Sequence, residues 1–212
     1  MIAITEKLAE HIETEILPRY DAFDKGHRRD HVLTVIEQSL ELAGHYNVNH
    51  NIVYAAAAYH DTGLCEGREL HHMVSARIVS EEKRLREFFT PEEIETIADA
   101  VEDHRASNST PPRTIYGRIV AEADRIIAPV TIMTRTIQYG LAHYPTLRKE
   151  EHLERAVQHL KEKYGRGGYL KLWIPESDNA KNLQQFRTLI DDTGELRSRL
   201  EEIYKEVTAS II

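Results

Sequence analysis

The chain has 212 residues, with 27 Lys and Arg against 35 Asp and Glu, a formal charge of −8. A single cysteine, Cys65, excludes an internal disulfide and a cysteine-rich zinc site, and fits a reducing cytoplasm. The acidic balance argues against a nucleic-acid polymer as partner, which needs a basic face. That leaves the twelve histidines as the feature to explain, because histidine suits divalent metals and proton transfer near neutral pH.

In chain order the dominant period is helical. Ile4, Leu8, Ile12 and Ile16 recur every four residues, and Pro18 is predicted to stop that helix. Val32, Val35, Ile36, Leu40 and Ala43 form a second stripe. Residues 52–61 are apolar nearly all round, which predicts a short buried helix ended by Thr62-Gly63. At eight residues or so, this longest apolar run falls far short of the roughly 20 that a membrane helix needs. With no apolar leader at the N-terminus, the chain is predicted to be soluble and cytoplasmic, with no membrane partner. A helix over 71–85 follows. Thr90-Pro91-Glu92-Glu93 then reads as a helix start: a capping residue, proline in the first turn and acids at the positive end of the dipole. Residues 107–113 are predicted to be a loop, and 115–127 a helix. Further helices are predicted near 130–143, 149–164, 179–191 and 194–207, separated by the Gly-rich YGRGGYLKLW of 164–173, whose default reading is an interhelix turn. With no alternating strands, the fold class is all-α, with about nine or ten helices.

Helical spacing also shows which polar residues face inward. His104 continues the stripe of Ile97 and Val101, and Asp124 lies between Ala123 and Ile127, four residues after Val120. His71 leads into Val74 and Ile78, His31 precedes Val35 by four, and His60-Asp61 closes the most apolar helix. Any one of these alone is most often a satisfied core or surface histidine. An unpartnered buried carboxylate, however, costs several kcal/mol, on the order of the penalty for burying a charge, unless it is protonated, paired or metal-bound. Inward acids together with inward histidines fit Mn, Fe, Co, Ni, Zn or Mg. His11, His45, His50, His143, His152 and His159 are assigned to solvent or loops, and Cys65 to a partly buried spectator position.

The ordered set His31, His60-Asp61 and Asp124, in the contexts GHRRDHVLTV, AAAAYHDTG and AEADRI, resembles the signature of the HD-domain metal-dependent phosphohydrolases, and the longer string DHRAS…PRTIYGRIVAEADR with KYGRGGYLKL later resembles an uncharacterised bacterial subgroup of them. The resemblance implies an HD-type core over about 25–130 and a helical extension over 131–212 of a single all-α domain, 1–212. It implies that His31, His60, Asp61 and Asp124 bind a divalent metal. HHMVSARIV and VEDHRAS resemble segments that hold a second metal or contact phosphate, offering His71 or His72, and His104. One or two ions per chain are expected.

The implied activity is hydrolysis of a small phosphorylated compound, a nucleotide or another phosphomonoester, by a metal-activated water that Asp61 or Asp124 also orients. Arg28, Arg68 and Arg105 lie beside the motifs and are the expected phosphate contacts; Lys25, Arg29 and Arg125 are also near. Asp99 and Asp103 are not assigned a role. The alternatives are a non-catalytic metal- or nucleotide-binding HD module and a binuclear-iron HD oxygenase. A homo-oligomer is left open.

Overall fold

The computed structural model describes residues 4–24, 26–108 and 110–209, and among these it contains ten α-helices and no strand. Lys25 lies outside the described residues. The N-terminal stripe is helical but not uniform. Helix α1 (Glu6–His11) widens into a π-helical turn, Ile12–Ile16, and then tightens into a 3-10 segment, Leu17–Ala22, which carries Pro18 in its first turn. The proline thus redirects the helix rather than stopping it. The wide turn also shifts the register, so that Leu8, His11, Ile12 and Ile16 are all buried. His11, assigned to solvent from the sequence, is a core residue whose Nε2 lies 3.1 Å from the Tyr59 hydroxyl.

Helices α2 (Arg29–Ala43), α3 (His50–Tyr59), α4 (His71–Glu81), α5 (Pro91–Asp103) and α6 (Ile115–Ala123) follow. Asn49 caps α3, and the predicted Thr90–Glu93 capping box opens α5 with both reciprocal hydrogen bonds. The helix predicted over 71–85 ends at Glu81. There the backbone of Glu82 turns extended and its carboxylate accepts from Arg84 N–H, starting a separate 3-10 turn, Lys83–Glu87, that buries Leu85.

The chain forms two compact units. The first comprises Met1–Arg125 together with Trp173–Ser177, and the second Ile126–Leu172 together with Asp178–Ile212. In the first, α3 is the central rod, packed by α2, α5, α6 and the π-helical turn. Every residue from Ile52 to Tyr59 is buried. Ala55 to Ala58 supply no bulk, which lets neighbouring backbones approach on every side while α3 keeps the best helix former at each position.

The second unit consists of α7 (Pro129–His143), α8 (Lys149–Tyr164), α9 (Asp178–Asp191) and α10 (Thr193–Ala209). Helices α7 and α8 pack on α10, and α9 lies against α8 and α10. His152, also assigned to solvent, is 1% exposed, because it belongs with Ala156 and Leu160 to the buried four-residue spacing of α8. The Gly-rich stretch is a turn, with the Tyr169 and Leu170 N–H groups donating back to the Glu162 and Lys163 carbonyls of α8.

A candidate metal centre at converging helix ends

The buried end of α3 sets the geometry. The last carbonyls of a helix have no intrahelical donor, and a buried helix end must find one for each. Here three consecutive carbonyls are capped by side chains. His60 Nδ1–H donates to Ala57 O (2.7 Å), the Tyr20 hydroxyl to Ala58 O (2.8 Å) and the Thr62 hydroxyl to Tyr59 O (2.8 Å). The first of these bonds fixes the tautomer of the neutral His60 ring, in which Nε2 carries the lone pair and points away from the helix.

The same bond recurs twice more. His104 follows α5 and donates Nδ1–H to Val101 O (2.5 Å), and His71 begins α4 and donates to Arg68 O (2.8 Å). His31 lies in the first turn of α2, and Asp124 directly follows α6. Three helix C-termini, those of α3, α5 and α6, therefore deliver His60, His104 and Asp124, and their negative dipole ends favour a cation.

Asp61 lies at the centre, 3% exposed. Its Oδ2 is 3.3 Å from His60 Nε2 and 3.8 Å from His31 Nε2, while its Oδ1 is 3.3 Å from His71 Nε2 and 3.5 Å from His104 Nε2. Asp124 Oδ1 closes the first side, 3.2 Å from His31 Nε2 and 3.9 Å from His60 Nε2. Two donor groups result, His31–His60–Asp124 and Asp61–His71–His104.

These residues fit a divalent metal on their own chemistry. The Nε2 atoms of His31 and His60 are buried without a hydrogen-bond partner. On the other side, His71 Nε2 and His104 Nε2 face each other at 3.2 Å, although both rings already donate their Nδ1–H elsewhere. Lone pairs so opposed, with a carboxylate oxygen beside them, call for a shared cation.

The charge balance agrees. Burial favours the neutral Asp61 carboxyl, but His60 and His104 outweigh it and hold that group well below the usual carboxylate range. Asp124 is lowered in the same way: burial opposes ionisation, and the neighbouring His31 and His60 overcome it. Burial pulls His60 down, yet the two carboxylates raise it to about 9, whereas burial and the neighbouring His104 push His71 down to about 4.

The turn after His60-Asp61 aligns α4. Gly63 N–H donates to the buried Ser75 hydroxyl at 2.7 Å. A Cβ on Gly63 would stand 2.1 Å from the His71 carbonyl oxygen and 2.5 Å from Ser75 N. Only glycine permits this approach, which brings His71 to Asp61. Gly63, Ser75 and Tyr20 carry no chemical signature of their own, and sequence reasoning passed over all three as site residues.

The structure thus brings together His31, His60, Asp61, His71, His104 and Asp124. His72 lies outside the cluster, with its Nδ1 3.4 Å from Arg105, whose guanidinium also donates to the Glu69 carbonyl. Arg28 and Arg68 are exposed. Asp99 and Asp103, with Glu102, surround Arg113, so these acids are committed to anchoring the end of the 104–113 loop. Cys65, placed by the sequence in a partly buried position, is exposed on the 3-10 turn Thr62–Glu66.

An all-α unit that gathers His, His-Asp and Asp from successive helix ends defines a class of metal-site protein, and residues 28–128 match the family model for the HD domain. That match supports membership in the HD-domain metal-dependent phosphohydrolase superfamily. It matches no curated protein and no solved structure. Among the described residues no helix is long and apolar enough to cross a membrane.

Proposed function

We propose that this chain is a divalent-metal-dependent phosphohydrolase acting on a small phosphorylated compound, a nucleotide or another phosphomonoester, in which His31, His60 and Asp124 and, beside them, Asp61, His71 and His104 would hold the metal. The observation that carries the reading is the division of the Asp61 carboxylate, one oxygen toward His31 and His60 and the other toward His71 and His104. The superfamily is mostly metal-dependent hydrolases, which supports the reaction class. Bound there, a divalent ion lowers the pKa of a water ligand and polarises a phosphoryl oxygen.

The chain's own residues divide the remaining work. His60, Asp61 and His104 are the buried floor, while His31, His71 and Asp124 are partly exposed and face the substrate side. Asp124 orients the attacking water by accepting its hydrogen bond. Its lowered proton affinity suits it to positioning rather than to storing the proton. Arg28 and Arg68, both exposed, meet the phosphate, together with Arg105, which follows His104 and ties down the 67–70 turn through the Glu69 carbonyl. The partner is a small solute in the cytoplasm, in keeping with a charge of −8 that repels polyanions.

The test loads the full chain with Mn, Fe, Co, Ni, Zn or Mg in turn, measures metal per chain, and assays phosphate release from a broad panel of phosphate esters. Two equivalents of metal are expected, with hydrolysis abolished in Asp61→Ala. No bound metal and no released phosphate under any loading would overturn the proposal. Four imidazoles and two carboxylates also suit iron. Oxygen uptake by the iron-loaded chain without phosphate release would favour an oxygenase, and nucleotide binding without turnover a sensing module.

A further inference from the structure

We infer that Tyr20, contributed by the N-terminal segment that precedes the matched HD domain, is a positioning residue of the metal centre, its hydroxyl holding the backbone from which Asp61 projects. The inference rests on the metal-centre reading above. The hydroxyl makes two bonds: it donates to the Ala58 carbonyl at 2.8 Å and accepts the Asp61 N–H at 3.2 Å. Tyr20 is 0% exposed. One atom therefore bridges the last turn of α3 and the second residue beyond it, the point at which the chain must turn for the Asp61 carboxylate to divide between two histidine pairs.

The hydroxyl is itself held. The Tyr20 ring lies edge-on to Phe23 (centroids 5.4 Å, planes 69° apart) and beside His60 (6.3 Å, 36°). Its own segment is seated by Leu8, Ile12, Ile16 and Leu17, all buried. Core packing thus sets where the oxygen sits, and the oxygen sets the Asp61 backbone. Phenylalanine at this position keeps the ring but leaves a buried N–H and a buried C=O without partners, and the cheapest relief is rotation of the 60–61 peptide, which redirects the carboxylate. Groups that orient metal ligands from behind typically matter by 10- to 100-fold in affinity.

Tyr59 is a matched control. It is also 0% exposed, and its hydroxyl ties the same N-terminal segment to the same helix through His11, with no bond to Asp61. The experiment titrates the metal-stripped full chain, as wild type, Tyr20→Phe and Tyr59→Phe, with Co²⁺ alone. It records affinity and the visible absorption of the bound ion, with thermal unfolding of each stripped protein alongside. Tyr20→Phe is expected to bind about tenfold more weakly with an altered Co²⁺ spectrum, and Tyr59→Phe to match wild type in both. 4-Aminophenylalanine at position 20 donates to the Ala58 carbonyl but accepts poorly from the Asp61 N–H, so it should keep the fold yet bind Co²⁺ as weakly as Tyr20→Phe; it also serves if Tyr20→Phe does not fold. Wild-type binding by Tyr20→Phe, equal weakening in Tyr20→Phe and Tyr59→Phe, or wild-type binding with 4-aminophenylalanine at position 20 would overturn the inference while leaving the metal centre standing. A wild-type chain that binds no Co²⁺ would remove both.

Discussion

Gly63→Ala is the most direct test of how α4 is aligned with the centre. The added methyl carbon would stand 2.1 Å from the His71 carbonyl oxygen, 2.5 Å from Ser75 N and 2.8 Å from Val74 Cβ, where ordinary contact begins at 3.4 Å. Two of these neighbours are backbone atoms, so rotamer changes cannot relieve the clash and α4 must move away by more than an ångström. That movement breaks the 2.7 Å bond from Gly63 N–H to the buried Ser75 hydroxyl. Overpacking of this kind costs about 1–3 kcal/mol, and leaving the two buried polar groups unpaired about 1–3 kcal/mol more. For a chain of this size each kcal/mol lowers the melting temperature by roughly 2–4 °C, so a fall on the order of 10 °C is expected in the stripped protein. The same shift carries His71 Nε2 from 3.3 Å to beyond bonding reach of Asp61 Oδ1, so the second donor group should lose its metal while the first keeps it. The assay is differential scanning calorimetry with metal analysis, using Ser75→Ala as the partner that loses the hydrogen bond but not the close approach. Gly63→Ala melting within about 2 °C of wild type, less than one kcal/mol, and holding two metals would refute the close-packing argument.

The two histidines that the sequence left unresolved are separable. His71→Ala is expected to reduce bound metal from two equivalents to one, and His72→Ala to leave it unchanged, as read by elemental analysis. Metal uptake should also be linked to pH. Burial pulls His60 down, but Asp61 and Asp124 raise it to about 9, above its ordinary 6.5, so the stripped protein draws stability from the protonated ring. That contribution is full below about pH 6.5 and is lost as pH rises through about 9. Between those limits a metal must displace the proton. Calorimetric titration with Mn²⁺ near pH 7.5, in buffers of different ionisation enthalpy, should therefore show about one proton released per chain, and His60→Gln should abolish the release. Buffer-independent heats would sink this account.

Much of the centre was legible because helical spacing makes an inward polar residue conspicuous. His104 after Val101 and Asp124 after Val120 lie on apolar faces, and His60-Asp61 ends a helix that is buried all round. The positions that escaped did so for physical reasons. His11 sits next to a π-helical turn, and a register change of that kind leaves no mark in a four-residue apolar spacing. Tyr20 acts through backbone groups about 40 residues away, a separation over which no periodicity runs. Gly63 reads as a helix stop, and only the close approach of α4 shows why no other residue fits. The choice between His71 and His72 depended on which ring donates to a carbonyl three residues earlier, which is a property of the chain's path through residues 68–71.

Glu122 has a consequence for how the protein is made. This carboxylate, 0% exposed on the helix that delivers Asp124, accepts from the Trp173 N–H at 2.6 Å, the Ile174 N–H at 3.4 Å and the Ser177 hydroxyl at 2.7 Å. Its partners lie more than 50 residues downstream. On the ribosome, at roughly 5–20 residues per second, α6 is therefore synthesised several seconds before the segment that accounts for the charge on its inner face. Until residues 173–177 arrive, these three hydrogen bonds to Glu122 cannot form, and the helix end bearing Asp124 lacks the fastening they supply. Completion of the helix end that bears Asp124 is in this sense a late event of synthesis, timed by a stretch of chain that contributes none of the six clustered His and Asp side chains.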